Sequence, residues 1–310
     1  MSDGRLGQAP GPPWMRALAW AVARLPFRWL RGLGAALGFV AGSLLRVRRR
    51  HVEAAIARAG IASSGPRARE MYASLGAGLF ELLWLAGRPP GALAAWFTMD
   101  PACGEALRRT VARGRGVIVA TAHTGNWDLT GCASAQWIAR ECGTARLHVV
   151  TKRLSWRALD RYWQRLRAER GVVLADALGA ATYVRDALAA GDFTAMLIDQ
   201  VPERSSGVAV IPFLGAPALH DLGPALLAAR ARVPVLLVLG HREPDGRHRI
   251  ELAAEIDPAE LRGKGAIERA TAKMASALEA FVREHPAQWL WLHRRWKNVP
   301  ESARQRTRPK

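Results

Sequence analysis

A histidine and an aspartate lie five positions apart where a short apolar stretch turns polar, in VIVATAHTGNWDLTG at residues 117–131. Side chains five apart on one helix point about 140° from each other, so His123 and Asp128 could not meet there. They can meet if His123 ends a strand, Gly125 lets the turn fold back and Asp128 lies in the first turn of the following helix. A carboxylate held on one imidazole nitrogen leaves the other nitrogen as a base that activates a hydroxyl for acyl transfer. The spacing alone does not separate this interpretation from a structural histidine that caps the turn, because H-x4-D patterns also occur by chance.

Motifs of several other chemistries are missing from the sequence. Ser205 and Ser206 lack the G-x-S-x-G elbow of serine hydrolases, and no glycine motif for a nucleotide is present. The three cysteines have no C-x-x-C spacing and are odd in number, which argues against a disulfide framework or a zinc site. Six further histidines show no metal-ligand spacing and are interpreted as structural: His51, His148, His220, His241, His248 and His285. We therefore expect neither a metal ion nor a cofactor.

Strands and helices alternate from about residue 104 onwards. Apolar runs predict strands at 117–122, 147–151, 172–175, 193–199 and 233–240, of which the last can pair with 249–253. Helices are predicted between them, and a long helix at 265–284. This alternation favours an α/β fold with a mostly parallel central sheet flanked by helices, in a domain spanning residues 60–301. His123 then lies at the carboxyl end of a strand, where ligands bind to such sheets.

The N-terminal region has a different character. Residues 1–13 are rich in Gly and Pro and are expected to be disordered, whereas residues 14–59 are predicted to be helical. Four arginines among the tryptophans of this region share an arc of about 120° on a helix: Arg16, Arg24, Arg28 and Arg31. Such helices can lie in a lipid interface, and the apolar run at 32–45 is shorter than the roughly 20 residues that span a bilayer. A soluble helical hairpin is the alternative.

Basic residues outnumber acidic ones, since 45 Lys and Arg stand against 26 Asp and Glu for a formal charge of +19. A genome that favours arginine codons explains part of this excess, and the rest indicates an acidic partner such as nucleic acid, an anionic lipid surface or an acidic carrier protein. No nucleic-acid-binding motif is present, so nucleic acid is not expected. The run RVRRR at 46–50 suits the cytoplasmic flank of a membrane-associated region, and residues 302–310 form a basic tail.

Four stretches resemble the bacterial lipid A biosynthesis acyltransferases, the lauroyl/myristoyl branch of the lysophospholipid acyltransferase superfamily. They are AHTGNWD at 122–128, IDQ at 198–200 followed by GVAVIPFLGAPA at 207–218, HPAQWLWLHRRWKNVPE at 285–301, and RVRRRHVEAAIARAG at 46–60. The resemblance runs from about residue 15 to 301, and the closing stretch is its most specific part. It implies an O-acyltransferase of the H-x4-D/E type.

The resemblance also implies roles for individual residues. His123 is the implied base and Asp128 its partner, although many family members carry glutamate there. The implied substrate-binding residues are Arg165, with Arg167 as an ambiguous neighbour, Asp199, Gln200, Gly125 and Asn126. Backbone N–H groups near Gly125 and Asn126, or Arg165, are candidates for stabilising an oxyanion. Asp199 can instead be a buried structural hydrogen-bond acceptor.

The closing stretch allows two interpretations. Its tryptophans are core residues or the wall of an acyl-chain site: Trp289, Trp291 and Trp296. His293, Arg294 and Arg295 form either a solvated basic edge or a site for phosphates or a carrier protein.

The implied reaction moves a fatty acyl group from a thioester, on acyl carrier protein or coenzyme A, to a hydroxyl of a glycolipid. A lipid A precursor is the first expectation for this acceptor, and the cytoplasmic face of the inner membrane is the expected location. Two alternatives remain open. The acceptor can be another lipid, such as a lysophospholipid, another glycolipid or an aminolipid, or the chain can be a non-catalytic basic protein that binds membranes or nucleic acid.

Overall fold

The computed structural model describes residues 12–151, 155–177 and 179–301. Their helices are α1 (Pro13–Val22), α2 (Trp29–Phe39), α3 (Arg49–Arg58), α4 (Ser64–Ala86), α5 (Pro101–Ala112), α6 (Trp127–Glu141), α7 (Arg157–Glu169), α8 (Ala180–Ala189), α9 (Gly223–Ala231) and α10 (Ala266–Glu284). The strands are β1 (Phe97–Met99), β2 (Val117–Thr121), β3 (Leu147–Thr151), β4 (Val172–Asp176), β5 (Phe193–Leu197), β6 (Val208–Phe213), β7 (Ala216–Asp221), β8 (Val235–Arg242) and β9 (His248–Ile256). A π-helical turn (Val40–Leu44) extends α2, and 3-10 turns occupy Pro90–Trp96 and Pro286–Gln288.

Seven strands form the central sheet in the order β1-β9-β8-β2-β5-β3-β4. Neighbouring strands run parallel except β8 and β9, which are antiparallel. The predicted α/β fold with a mostly parallel sheet is therefore confirmed, including the pairing of the strand near 233–240 with the one near 249–253. Two features were not predicted: the three-residue strand β1, and the separate antiparallel hairpin of β6 and β7.

Strand β2 lies at the centre of two apolar layers. Val117 and Val119 pack with α5, α6 and α7 on one face, whereas Ile118 and Ala120 pack with α8, α9 and α10 on the other. A strand covered on both faces reads as a continuous apolar run, which is why VIVAT was recognisable in the sequence. This burial fixes the position at which the chain leaves the sheet and reaches His123.

The N-terminal helices pack on α4. A Cβ atom on Gly34 would lie 2.1 Å from the backbone nitrogen of Ala77, so α2 approaches α4 more closely than any larger residue would allow. Several large apolar side chains of this region remain exposed: Trp14, Trp20, Trp29, Phe39, Leu44 and Leu45. Within the described residues, no helix on its own has both the length and the apolar character to cross a bilayer; α2 with its π-helical extension passes that test only together with α3, from which it is bent by 95°.

Some of the regions predicted from the sequence lie outside the described residues. The expected disorder of residues 1–13 falls largely on residues 1–11, outside the described part of the chain, and so does the basic tail at 302–310. The helical region predicted at 14–59 contains α1, α2 and α3. Its separation from the α/β domain at residue 60 stays a prediction.

Candidate active site

His123 follows β2 and is held by a buried carboxylate from the end of the neighbouring strand β5. The Nδ1 atom of His123 lies 2.9 Å from Oδ1 of Asp199, and the backbone N–H of His123 donates to Oδ2 of Asp199 at 3.0 Å. Trp289 Nε1 donates to the same Oδ2 at 3.0 Å. Because a carboxylate only accepts, the proton between His123 and Asp199 sits on Nδ1, and the lone pair of His123 lies on Nε2.

The environment of this pair raises the pKa of His123. Burial opposes protonation of His123, but the attraction of Asp199 and its hydrogen bond outweigh it, so the pKa of His123 is raised. Burial likewise opposes ionisation of Asp199, but the attraction and hydrogen bonds of His123 hold the pKa of Asp199 well below its usual range. Asp199 is fully buried, so the pair is shielded from water on the carboxylate side. His123 is therefore oriented and made more basic by Asp199.

The turn after His123 is pinned by a segment from near residue 290. The N–H of Gly125 donates to the Gln288 carbonyl at 2.7 Å, and the N–H of Leu290 donates to the His123 carbonyl at 3.1 Å. Gly125 has φ +54°, and a Cβ there would lie 2.7 Å from the Gly240 carbonyl oxygen, so the turn requires glycine. The predicted use of the Gly125 N–H as an oxyanion donor is therefore wrong, because the Gln288 carbonyl already accepts that hydrogen bond.

Asp128 takes a different partner from the one that its spacing indicated. It lies in the first turn of α6, where Arg167 Nε donates to its Oδ1 at 2.7 Å and Trp163 Nε1 donates to its Oδ2 at 3.2 Å. Although both side chains are described, the structure shows no hydrogen bond between Asp128 and His123. The predicted pairing is thus corrected: Asp199 orients the imidazole, and the charge of Asp128 reaches His123 only through space, where it favours a raised pKa of the imidazole.

Arg167, and not Arg165, belongs to this site. Residues two apart on a helix point about 200° from each other. Arg167 of α7 accordingly turns inward to Asp128, whereas Arg165 is 42% exposed and bonds Glu169 at 2.6 Å. Arg165 does not line the cavity at His123, so its predicted role in substrate binding or oxyanion stabilisation has no support from this geometry and stays a prediction.

Asn126 is anchored by a buried ion pair that sequence reasoning missed. Its Oδ1 caps α6 by accepting from the Leu129 N–H at 3.2 Å, and its Nδ2 donates to Glu81 Oε2 at 2.9 Å. Arg242 donates to both oxygens of Glu81 at 2.7 and 2.8 Å. The Asn126 side chain is thus committed to structure rather than to substrate. The one signal in the sequence was a lone acid in the apolar run GAGLFELLWLAG.

Gln200 and His293 face the free nitrogen of the base. Gln200 Nε2 lies 3.4 Å from His123 Nε2 and 3.5 Å from His293 Nε2, and the two imidazole rings are 4.9 Å apart. Burial lowers the pKa of His293 to about 4. The positive charges of His123, Arg295 and Arg48 act in the same direction, and the charge of Asp199 opposes them. A neutral His293 beside a basic His123 leaves a polar opening where a hydroxyl can reach Nε2.

The three residues of the His-Arg-Arg run have separate positions. His293 faces the site, and Arg294 is exposed. Arg295 is fully buried and donates to the Leu219 carbonyl and to His220, which fastens the β6–β7 hairpin to the closing segment. Trp289 and Trp291 are buried core residues, as one of the two interpretations held.

Two groups of His and carboxylate side chains in the described residues could hold a metal ion by the spacing of their ligand atoms. They are His123–Asp199–His293 and His241–Glu251–His285. His241 and His285 have no metal-ligand spacing in the sequence, but their rings stack 4.1 Å apart where the end of α10 meets β8, and their interpretation as structural residues stays a prediction. The expectation that the protein uses no metal stays a prediction.

A cavity of about 890 Å³ opens at the base and continues between α6 and the sheet. His123, Trp127 and Asp128 line it at one end. Its deeper wall is apolar, with contributions from Leu107, Val119, Ile138, Leu147, Val149, Val172 and Val238. The site thus places the unpaired ring nitrogen of His123 beside an apolar cavity, an arrangement that can activate a hydroxyl next to an alkyl chain.

The free ring nitrogen of His123 at a strand end and the apolar cavity beside it suit acyl transfer to a hydroxyl. The family model described as bacterial lipid A biosynthesis acyltransferase matches residues 13–298. The chain therefore belongs to this family and is an acyltransferase of lipid A biosynthesis. A search of curated proteins gave no match.

Proposed function

We propose that the protein transfers a fatty acyl group from an acyl thioester to a hydroxyl of a glycolipid, most simply a lipid A precursor. The observation that carries the proposal is the contact of His123 Nδ1 with Asp199, which leaves Nε2 at the mouth of the apolar cavity. Asp199 and Gln200 thus act through the base rather than as separate substrate contacts.

The chemistry follows from the positions of these groups. His123 Nε2 takes the proton of the acceptor hydroxyl as its oxygen attacks the thioester carbonyl. Asp199 stabilises the imidazolium that forms and does not itself take the proton. When the tetrahedral intermediate collapses, the C–S bond breaks and the imidazolium returns the proton to the departing thiolate. The reaction is a direct transfer, with no acyl group on the protein.

The oxyanion of the intermediate needs hydrogen-bond donors. The first N–H groups of a helix have no intrahelical acceptor, and the positive end of the helix dipole lies beside them. The first turn of α6 begins at Trp127, whose ring is 4.9 Å from that of His123. We assign the oxyanion to this turn, in place of Gly125 and Arg165.

The donor and the location are further parts of the proposal. An acyl carrier protein is acidic and suits a chain of charge +19, with acyl coenzyme A as the alternative donor. The exposed tryptophans and leucines of α1, α2 and the π-helical turn suit attachment to the cytoplasmic face of the inner membrane. Another lipid acceptor remains the second candidate, because the cavity is assigned to the acyl chain in this proposal and does not select the acceptor.

An in vitro transfer assay tests the proposed reaction. Purified protein is incubated with acyl carrier protein or coenzyme A thioesters and a lipid A precursor, a lysophospholipid or no acceptor, and the products are weighed by mass spectrometry. We expect one acyl group to be added to the lipid A precursor. Acylation of the lysophospholipid alone would move the assignment to the second candidate, and no acylation of any lipid would refute the proposed function.

Chain-length selection tests whether the cavity holds the acyl chain. Gly131 lies on α6 and lines the cavity, and a Cβ there would meet no atom within 4 Å. Gly131→Met should fill the apolar space and lower kcat/KM for long donors relative to short ones by about tenfold or more. Gly65→Met, in the first turn of α4 and outside the cavity, is the control. Equal chain-length profiles for both variants and the wild type would place the acyl chain elsewhere.

A further inference from the structure

Two histidines and a glutamate converge where the end of α10 meets β8 and β9. His241 lies in β8, Glu251 in β9, and His285 directly follows α10. In the antiparallel register His241 pairs with Arg249 and Leu239 pairs with Glu251, so His241 and Glu251 are diagonal neighbours on one face of the sheet. His285 reaches this face from the helix, and its ring stacks on that of His241 with the ring centres 4.1 Å apart. We call His241, Glu251 and His285 the histidine–glutamate cluster.

The ligand atoms of the histidine–glutamate cluster are spaced for a metal ion. One ring nitrogen from each histidine and one carboxylate oxygen all lie within 4.8 Å of one another. His241 Nδ1 lies 4.0 Å from a carboxylate oxygen of Glu251, which is too long for a hydrogen bond. Ligand atoms bound to one tetrahedral zinc ion at about 2.0–2.2 Å lie about 3.3–3.6 Å apart. Small rotations of the side chains would therefore bring all three ligand atoms onto one ion.

The ring of His241 carries a buried nitrogen that the protein leaves unused. His241 is 8% exposed, and its Nδ1 is screened from water without a hydrogen-bond partner among the described residues. Buried polar atoms in native proteins are satisfied by protein groups, water or an ion, because an unpaired one costs free energy. A second imidazole and a carboxylate within reach of this nitrogen favour a metal ion as the partner, with a bridging water molecule as the alternative.

The charges around the cluster suit a cation. Glu251 supplies one carboxylate, and Oε1 of Glu284 lies 4.0 Å from Nε2 of the histidine that follows it. The nearby guanidinium of Arg249 bonds Asp100 at 2.5 Å and lies 3.9 Å from Glu243. Its positive charge is therefore compensated, and the carboxylates beside the cluster remain to attract a metal ion.

The donor set and the exposure of the cluster point to zinc. The side chains of Glu251 and His285 are 28% and 19% exposed, so an ion can enter from solvent and keep a water molecule as its fourth ligand. Two imidazole nitrogens and one carboxylate oxygen with an open fourth position are a typical zinc donor set. Magnesium and calcium instead prefer oxygen ligands throughout.

An ion at the cluster would fasten the residues that hold the catalytic turn. His285 lies three residues before Gln288, whose carbonyl accepts from the Gly125 N–H at 2.7 Å. The side chain of Gln288 is also bonded to the backbone of Arg242, the residue after the β8 histidine of the cluster. The Arg242 N–H donates to Gln288 Oε1 at 2.6 Å, and Gln288 Nε2 donates to the Arg242 carbonyl at 2.8 Å. A metal ion would reinforce this junction one residue away from those bonds.

We propose that His241, Glu251 and His285 bind one zinc ion, which clamps the end of α10 to β8 and β9 and so stabilises residues 285–293. None of the three ligands lines the cavity at His123, so the site is separate from the catalytic base. The proposal replaces the expectation of a protein without metal, because ligands from three separate elements leave no spacing pattern in the sequence. It does not depend on the proposed reaction.

A zinc titration of protein without a histidine tag tests the site. Metal is removed with EDTA and dialysis, and calorimetry with Zn²⁺ alone then measures stoichiometry and affinity. We expect the wild type to bind one zinc ion at the cluster, and its melting temperature to rise by about 5 °C when free zinc is about 100 times Kd. Glu251→Gln and His285→Gln should each weaken zinc binding by about tenfold or more, because each removes a ligand. Circular dichroism of the metal-free variants checks that they are folded.

The matched control removes a histidine from the other group of described residues with metal-ligand spacing. His293→Gln changes the His123–Asp199–His293 group and should keep the zinc affinity of the cluster. Loss of zinc binding in His293→Gln, with wild-type affinity in Glu251→Gln and His285→Gln, would place the ion at the catalytic base and overturn the proposal. A wild type that binds no zinc would overturn it as well, and would leave a bridging water as the partner of His241.

Hydrogen exchange measured by mass spectrometry tests the clamp itself. Zinc should slow amide exchange in peptides that cover residues 285–293 of the wild type, and it should have no such effect in His285→Gln. Exchange that is unchanged by bound zinc in the wild type would refute the clamp. No substrate is present in these experiments, so their result is independent of whether the protein acylates a lipid.

Discussion

Asp199→Asn is expected to lower kcat by about 10⁴ while the protein stays folded, the size seen when an orienting aspartate is replaced by its amide in a serine protease. The reason is that the two carboxylate oxygens of Asp199 have different hydrogen-bond partners. Oδ2 accepts from the His123 N–H and from Trp289, whereas Oδ1 faces His123 Nδ1. An asparagine keeps both bonds to Oδ2 only if its NH2 group replaces Oδ1. That NH2 group would make Nδ1 the acceptor and put the proton on Nε2, where the base is needed.

The pH dependence gives a second signature of the same change. The base must be neutral, so kcat/KM of the wild type should rise with pH through an apparent pKa above the usual 6.5 of histidine, the direction that Asp199 imposes. Without the negative charge of Asp199, burial lowers the pKa of His123. The remaining kcat/KM of Asp199→Asn should therefore still rise with pH, but through a lower apparent pKa than that of the wild type. Nitrogen NMR of the imidazole would report the tautomer directly.

A matched control separates this role from general stability. Asp192 bonds His148 Nε2 at 2.8 Å, which is another buried His–Asp pair, at the amino end of β5. Asp192→Asn should reduce the free energy of unfolding but leave the pH profile of transfer in place. His123→Ala should lose about 10²–10⁴ of the rate. An Asp199→Asn enzyme with wild-type kcat and an unshifted pH profile would show that Asp199 is only a structural acceptor.

Arg167→Ala should lower both stability and transfer, whereas Arg165→Ala should be nearly silent. Arg167 and Asp128 are 18% and 8% exposed, and removing one member of a buried pair leaves the other charge uncompensated at a cost of about 3–5 kcal/mol. The exposed pair of Arg165 with Glu169 is worth about 0.3–0.5 kcal/mol. Asp128→Asn should follow Arg167→Ala, and Asp128→Glu should be milder because it keeps the charge. Urea unfolding and kcat/KM measure the two effects.

The ordering of these variants decides which arginine serves the site. If Arg165→Ala proved as damaging as Arg167→Ala, the inward position of Arg167 would not be the one that matters for transfer. If Arg167→Ala lost stability but kept its rate, the Asp128–Arg167 pair would be a structural brace for α6 alone.

The sequence located the base because its signal is local. A fully covered strand gives an unbroken apolar run, and the residue that ends β2 is then visible as His123. The helices and most strands could be predicted for the same reason, because the periodicity of apolar residues and the glycines that end an element are signals within a few residues. The three-residue β1 was too short for such a signal, and burial in β6 does not alternate regularly along the strand.

The partner of His123 could not be predicted from the sequence, because spacing along the chain does not determine which strand ends lie side by side. Asp128 is near His123 in sequence, yet the order of β2 beside β5 brings Asp199 to the imidazole. The choice between Arg165 and Arg167 likewise depended on which face of α7 packs inward. Glu81 and His293 reach the site through tertiary packing, and the only local sign of Glu81 was its position as a lone acid in an apolar run.

Residues 288–290, which hold the turn after His123, are synthesised after every strand of the central sheet. Every strand of the central sheet lies before residue 257, so a nascent chain can form the sheet and expose the apolar cavity while residues 288–293 are still unmade. Until Gln288, Trp289 and Leu290 arrive, the Gly125 N–H and the His123 carbonyl lack these partners, and Asp199 lacks only its hydrogen bond from Trp289. An unfinished chain would therefore lack the contacts that hold the turn after His123, although its His123–Asp199 pair could already form.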